Sequence, residues 1–413
     1  MKYYKKFDNG LRLVINKMEG LYSVSCGIMV KTGSINESQE ENGISHFIEH
    51  VLFKGTKKRS AFEISDRIDS IGAQINAYTA KELTCYYTKS TGERLADAME
   101  VLSDIFFDSV FEKSELEKEK GVVIEEINMC EDTHEEVCFD LLAKSYYGDD
   151  GLGRTILGSA KNIKRFTKDD ILKYMDKYYT ADNVVVSIAG DVDISATEKL
   201  VEEYFANRFK RIKSAEQKTF ITPQPKQLYR SKKIEQTHIG FSMKGVKMDD
   251  VDADALSIAN SVLGGGMSSR LFQKIREELG LCYSVYSYLS TYKNDGVIEV
   301  YAGVNTSQRD LAVESIVNEI KKLKKDGITE AEFERTKEQV KSSTLFARES
   351  TSSQMLVHGK YLIYLDKEFD YDERMSRINK LTLKDVHGVI EKYFEIDGAA
   401  TATVGPKRSP III

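Results

Sequence analysis

Proline is scarce in this chain, long apolar runs are missing, and positive charge is not in excess. Four prolines occur in 413 residues, Pro223, Pro225, Pro406 and Pro410. Against that background, two prolines one residue apart near the midpoint predict a stiff, extended linker between two halves. No stretch approaches the ~18 apolar residues of a membrane span, so no membrane association is expected. Lys and Arg total 59 against 65 Asp and Glu, a formal charge of −6 that offers no overall basic footprint for nucleic acid. The five cysteines (Cys26, Cys85, Cys130, Cys138 and Cys282) include no C-x-x-C pair and read as core thiols in a reducing compartment. The opening MKYYKKFDNGLRL has positive charge without an apolar h-region, and Asp8 breaks the acid-poor pattern of an organellar import segment. A bacterial cytoplasmic location is expected.

What the chain does hold is enough apolar material for sizeable cores, 41% hydrophobic beside 30% charged residues, which excludes a disordered or fibrous protein. It also repeats itself. TKDDILKYMDKYYTADNVVVSIAG (167–190) aligns at constant offset with TLKDVHGVIEKYFEIDGAATATVG (382–405), each reading as an amphipathic helix, a turn and a glycine-ended strand. LADAMEVLSDIFFDSVFEKSELEKEKGVV (95–123) aligns with LAVESIVNEIKKLKKDGITEAEFERTKEQV (311–340), a helix, a break and a second helix. Two such pairs in the same order imply an internal duplication. Alternation over Leu11–Asn16, Val24–Thr32, Ala73–Thr79 and Thr84–Thr88 predicts antiparallel strands. Helical periodicity covers 43–55, 60–71, 93–108 and a run from 114 to 145. The expected fold is α+β: two homologous domains, 1–212 and 228–413, each an antiparallel sheet with helices on one side, joined by a linker at 213–227.

The sharpest chemical signal is His46-Phe47-Ile48-Glu49-His50 within GISHFIEHVLFKGT. On a helix these spacings put both imidazoles and the carboxylate on one face. Two neutral imidazoles can bind a divalent cation such as zinc, and a third protein ligand leaves a position open for water. Glu49 is suited to act as general base on the metal-bound water.

H-x-x-E-H is the inverted zinc-peptidase motif, and with it the chain resembles the M16 metallopeptidases, in the subfamily of the mitochondrial processing peptidase and its bacterial relatives. The likeness runs from GLRLVIN to TATVGP, through IGAQINAYTAKELTCYY, EKEKGVVIEEINM, GRTILG and GGGMSSRLFQKIREELGLCYSVYS. It implies a zinc endopeptidase of short or unfolded peptides, with one zinc per chain held by His46, His50 and a glutamate on a later helix. In GVVIEEINM that glutamate falls on Glu126, with Glu125 as the register alternative, and Glu119 matches the family's glutamate that orients a ligand histidine. Opposite them in the second copy stand Ser343 and Thr336, and no histidine or glutamate lies between Asp250 and Gly265, so only the first half is expected to hold metal.

The resemblance also implies that Arg276 and Tyr283 act on the substrate, the phenol donating to the developing oxyanion. Peptide is expected to pair with the strand holding Asn76 and Ala77. Glu136 and Asp140, spaced i, i+4, match acidic positions that receive an arginine near the cut. Gly264-Gly265-Gly266 lacks the Gly-Lys-Ser/Thr of a phosphate loop. Family members of this size form a two-chain clamshell. A homodimer is expected here because one chain carries both the metal motif and the Arg/Tyr pair, with a heterodimer beside a degenerate homologue as the alternative. The rival functions are a noncatalytic scaffold, which in this family has lost motif residues, and a maturation protease for one peptide.

Overall fold

Thr167 and Thr382 each open a helix through the same reciprocal cap. The threonine hydroxyl accepts the N–H of Asp170 or Asp385, whose carboxylate accepts the threonine N–H in return. The computed structural model containing these caps describes residues 1–149, 151–209, 213–214, 222–406 and 411; linker positions 215–221 and Pro410 lie outside the described residues.

The first copy begins with strands β1 (Lys2–Lys6), β2 (Arg12–Lys17) and β3 (Ser23–Val30). Helices α1 (Ile44–Val51) and α2 (Ala61–Ser70) precede the hairpin β4 (Gln74–Thr79) and β5 (Thr84–Thr91). Then come α3 (Leu95–Asp108), α4 (Lys113–Asp132), α5 (His134–Tyr147), α6 (Ala160–Arg165), α7 (Lys168–Tyr178), β6 (Val184–Gly190) and α8 (Ile194–Tyr204). The helical run expected over 114–145 is therefore two helices, broken at Thr133, whose backbone leaves the helical region.

The second copy repeats the order: β7 (Gln227–Ser231), β8 (Gln236–Lys244), α9 (Ala253–Gly264), a π-helical segment Phe272–Glu278, β9 (Cys282–Thr291) and β10 (Gly296–Asn305). Helices α10 (Arg309–Asp326), α11 (Glu330–Glu349), α12 (Thr351–Leu365), α13 (Tyr371–Lys380) and α14 (Leu383–Tyr393) lead to β11 (Ala400–Gly405).

Among the described residues two sheets result, in the orders β1-β2-β6-β3-β5-β4 and β7-β11-β8-β10-β9. From β2 and β7 onward the two orders correspond strand for strand, as a duplication requires. Neither sheet is wholly antiparallel, because β2 runs parallel to β6 and β7 parallel to β11. Every residue of β6 is buried, which fits a strand covered on both faces.

The compact units differ from the expected contiguous domains 1–212 and 228–413. One comprises Met1–Ile127, Thr155–Thr219 and Phe346–Phe369, and the other Asn128–Arg154, Phe220–Leu345 and Asp370–Ile413. The copies exchange a helix. In the first unit Leu13, Ile28, Val186 and Ile188 face a core shared with α1, α3 and α7, while Val14, Met29, Val185 and Ala189 pack against Met355, Leu362 and Ile363 of α12. Polar contacts fix α12 there: Asn16 Nδ2 donates to Gln354 Oε1 at 2.7 Å, and Ser187 Oγ to the Met355 carbonyl at 2.7 Å. In the second unit α5 takes the matching place, with Val137, Cys138 and Leu142 against Tyr301, Ala402 and Val404. Helices are thus found on both faces of each sheet rather than one. Cys26, Cys85 and Cys138 are buried free thiols. Among the described residues no helix is long and apolar enough to cross a membrane.

Candidate metal centre

Helix α1 starts at a tight backbone crossing. Gly43 precedes it with φ of 100°, and a Cβ there would lie 2.6 Å from the Leu157 carbonyl oxygen. Its neighbour Gly158, from GRTILG, would place a Cβ 2.3 Å from the Asn42 carbonyl oxygen, so both positions need glycine. The helix has no side-chain cap of its own. Glu37, fully buried, supplies one: its carboxylate accepts the N–H groups of Gly43 at 2.8 Å and Ser45 at 2.9 Å, and the Asn42 side-chain amide at 2.9 Å. Burial pushes this carboxyl above its usual range, and the donors only partly oppose that.

From this anchored start, α1 presents His46 and His50 beside Glu126 of α4, all within the first unit. Their ligand atoms lie within 4.8 Å of one another, with Glu126 Oε2 at 3.6 Å from His46 Nε2 and 3.3 Å from His50 Nε2. Tetrahedral zinc with bonds of about 2.0–2.1 Å separates its ligand atoms by roughly 3.3 Å. Among the described residues nothing donates a hydrogen bond to the buried Glu126 Oε2, an orphan that a cation between the three groups would satisfy. Burial, helped by the neighbouring His50, pushes His46 down to about 3, which leaves a neutral imidazole with a free lone pair. Two nitrogens and one oxygen at these spacings fit zinc. Glu125, the register alternative, is exposed and outside the cluster.

The surrounding groups orient this set. His50 Nδ1 lies 2.8 Å from Glu119 Oε1, two helical turns before Glu126 on α4, which leaves Nε2 facing the centre. Lys54 Nζ lies 2.8 Å from the other Glu119 oxygen. Burial opposes ionisation of Glu119, but His50 and Lys54 outweigh it and hold the carboxyl below its usual range. Burial likewise works against His50 protonation, and Glu119, Glu126 and Glu49 together reverse it, a sign of the negative potential that a divalent cation would neutralise. Glu49 is half-buried, which raises its carboxyl, and its Oε2 accepts the Thr79 hydroxyl at 2.5 Å.

Asn76 and Ala77 lie on β4, which among the described residues is an edge strand paired with β5 alone; Asn76 is exposed there and its Oδ1 accepts the Ala77 N–H at 2.8 Å. In the second unit the Arg276 guanidinium sits 4.7 Å from the ring centroids of both Phe272 and Tyr283, and Tyr283 is 76% exposed, open to a ligand. Arg276 belongs to the π-helical segment, a rare geometry that often marks functional positions. Glu136 and Asp140 are both exposed on α5. Sequence reasoning passed over Glu37, Lys54 and Thr79. Lys54 and Thr79 stand inside motifs already singled out, whereas no local signal marks Glu37.

Residues 12–160 match the family described as Insulinase (Peptidase family M16), and residues 165–340 match the Peptidase M16 inactive domain. The chain therefore belongs to the M16 metallopeptidase family. It is 42% identical over 401 residues to the uncharacterized zinc protease YmxG of Bacillus subtilis, covering 97% of each chain. It is 35% identical over 388 residues to an uncharacterized zinc protease of Streptomyces coelicolor, covering 92% of this chain and 84% of that one. A solved peptidase M16 inactive domain from Pseudomonas fluorescens superposes with a TM-score of 0.91 at 20% identity over 100% of both chains, a likeness of fold. Membership and these relatives support a zinc peptidase.

Proposed function

We propose that this chain is a zinc-dependent endopeptidase hydrolysing short or unfolded peptides. The observation that carries the reading is the convergence of His46 Nε2, His50 Nε2 and Glu126 Oε2, with the Glu49 carboxylate in electrostatic contact with His50 and Glu126. Zinc bound there supplies Lewis acidity, which polarises a carbonyl and makes water more acidic. Glu49 accepts the proton of the attacking water and returns it to the leaving amine. Glu119 fixes the His50 ring through Nδ1.

Tyr283 donates to the oxyanion and Arg276 grips the peptide, roles supported by the family resemblance. An extended peptide adds to the β4 edge along Asn76 and Ala77, an arrangement that reads backbone more than side chain and so tolerates many sequences. Glu136 and Asp140 together hold an arginine near the cut. The working unit is a homodimer, which sedimentation analysis would detect.

The test joins metal content to cleavage. Purified protein should carry about one zinc per chain by elemental analysis. Cleavage of a mixed peptide library should stop on chelation and return with zinc, with arginine enriched near the cut sites. Protein that holds no stoichiometric zinc and cuts nothing in the library would overturn the peptidase reading.

A further inference from the structure

Strand β4 and the base Glu49 are joined by one residue. Thr79, the last residue of β4, donates its hydroxyl to Glu49 Oε2 at 2.5 Å, and its backbone also hydrogen-bonds this carboxylate. Along a strand, backbone groups two residues apart point the same way. The N–H of Ala77, which meets Asn76 Oδ1, and that of Thr79 therefore face the same side of β4. Because β4 is the sheet edge, with β5 on its other side, that side is where an added peptide strand would pair. Glu49 thus sits at the end of the row of edge groups that a peptide would use.

We infer that Thr79 is a positioning residue that ties the general base Glu49 to the peptide-docking edge of β4. The inference rests on the peptidase reading and adds how the base is registered against the bound chain. A glutamate side chain has three rotatable bonds and would otherwise sample several orientations. Thr79 removes that freedom, and it stands two residues, roughly 7 Å, beyond Ala77. The far end of the hairpin is held in place: the Ala80 N–H donates to the Leu83 carbonyl at 2.7 Å, the Ile35 N–H to the Lys81 carbonyl at 2.9 Å, and the Thr84 hydroxyl to the Thr32 carbonyl at 2.9 Å. A peptide laid on β4 and the carboxylate that serves it therefore share one rigid reference, which makes their relative placement independent of motion elsewhere.

The experiment compares Thr79→Val, which keeps the branched shape but not the hydroxyl, with Thr79→Ser, which keeps the hydroxyl. With zinc content and thermal midpoint matched to wild type, the valine variant should lose about 10–100-fold in kcat with KM within about twofold, and serine should restore most of the loss. Crystal structures should show the Glu49 carboxylate bonded to residue 79 in wild type and serine, and rotated away in valine. Undiminished kcat with an unmoved Glu49 in Thr79→Val would overturn the inference, as would a serine variant as impaired as valine. If valine fails to fold or to bind zinc, the serine variant decides: kcat near wild type supports the link and a large loss refutes it. Should wild type itself cleave nothing, the peptidase reading fails, and the Glu49 conformers still decide whether Thr79 holds that carboxylate.

Discussion

His50 Nδ1 lies 2.8 Å from Glu119 Oε1, and the same carboxylate receives Lys54 Nζ at 2.8 Å. The ring is therefore held from behind, with Nε2 directed to the centre. Glu119→Gln should weaken zinc binding by about 10–100-fold, measured by chelator competition, while secondary structure is preserved. Lys54→Met should give a smaller loss in the same direction, since it removes the group that keeps Glu119 in place. Unchanged zinc affinity in both variants would contradict this role.

Glu37 caps α1 from a fully buried position. Glu37→Ala strips the partner from the Gly43 and Ser45 amides, and each unsatisfied buried donor costs about 1–3 kcal/mol. Urea denaturation of metal-stripped protein should show a loss of that order, separated in this way from any change in metal linkage. Zinc affinity should fall as well, because the start of the histidine helix loses its anchor.

Tyr283 is an exposed phenol with the Arg276 guanidinium over its ring. If the hydroxyl donates only as the oxyanion forms, Tyr283→Phe should lower kcat by about 10–100-fold with little change in KM. Steady-state kinetics on a quenched peptide would measure both constants.

In the second unit Arg270 makes a two-pronged contact with Glu332, Nε to Oε1 and Nη2 to Oε2 at 2.8 Å each, and the Thr329 N–H adds a third bond at 2.8 Å. Burial opposes ionisation of Glu332, but these donors prevail and pull its carboxyl down to about 2. A lowered folded-state value means that the ionised form stabilises the fold. The contribution is complete above the ordinary glutamate value of about 4.3 and is lost as pH falls toward about 2. Urea midpoints of wild type and Glu332→Gln should therefore differ at pH 7 and converge as pH falls through that window.

The duplication was legible because it rests on local signals, such as the caps at Thr167 and Thr382 and the glycine-ended strands. His46, Glu49 and His50 were legible because helical spacing alone puts them on one face. Glu126 was legible through family resemblance, since α4 is rich in acids and nothing local distinguishes this one. The exchange of α5 and α12 was not readable, because an amphipathic stripe does not say which sheet it will cover. The parallel pairings of β2 and β7 were hidden for a similar reason: alternation reports faces, not strand direction. Glu37 and Thr79 act through contacts between residues distant in sequence, which only the folded chain brings together.

Under the proposed reading, Glu49 moves the proton beside a zinc site that His46, His50 and Glu126 would form. The most direct measurement is peptide hydrolysis by Glu49→Gln and wild type at matched zinc content. The glutamine variant should keep zinc and lose about 10²–10⁴-fold in kcat. Cleavage at the wild-type rate by the zinc-loaded variant would contradict it.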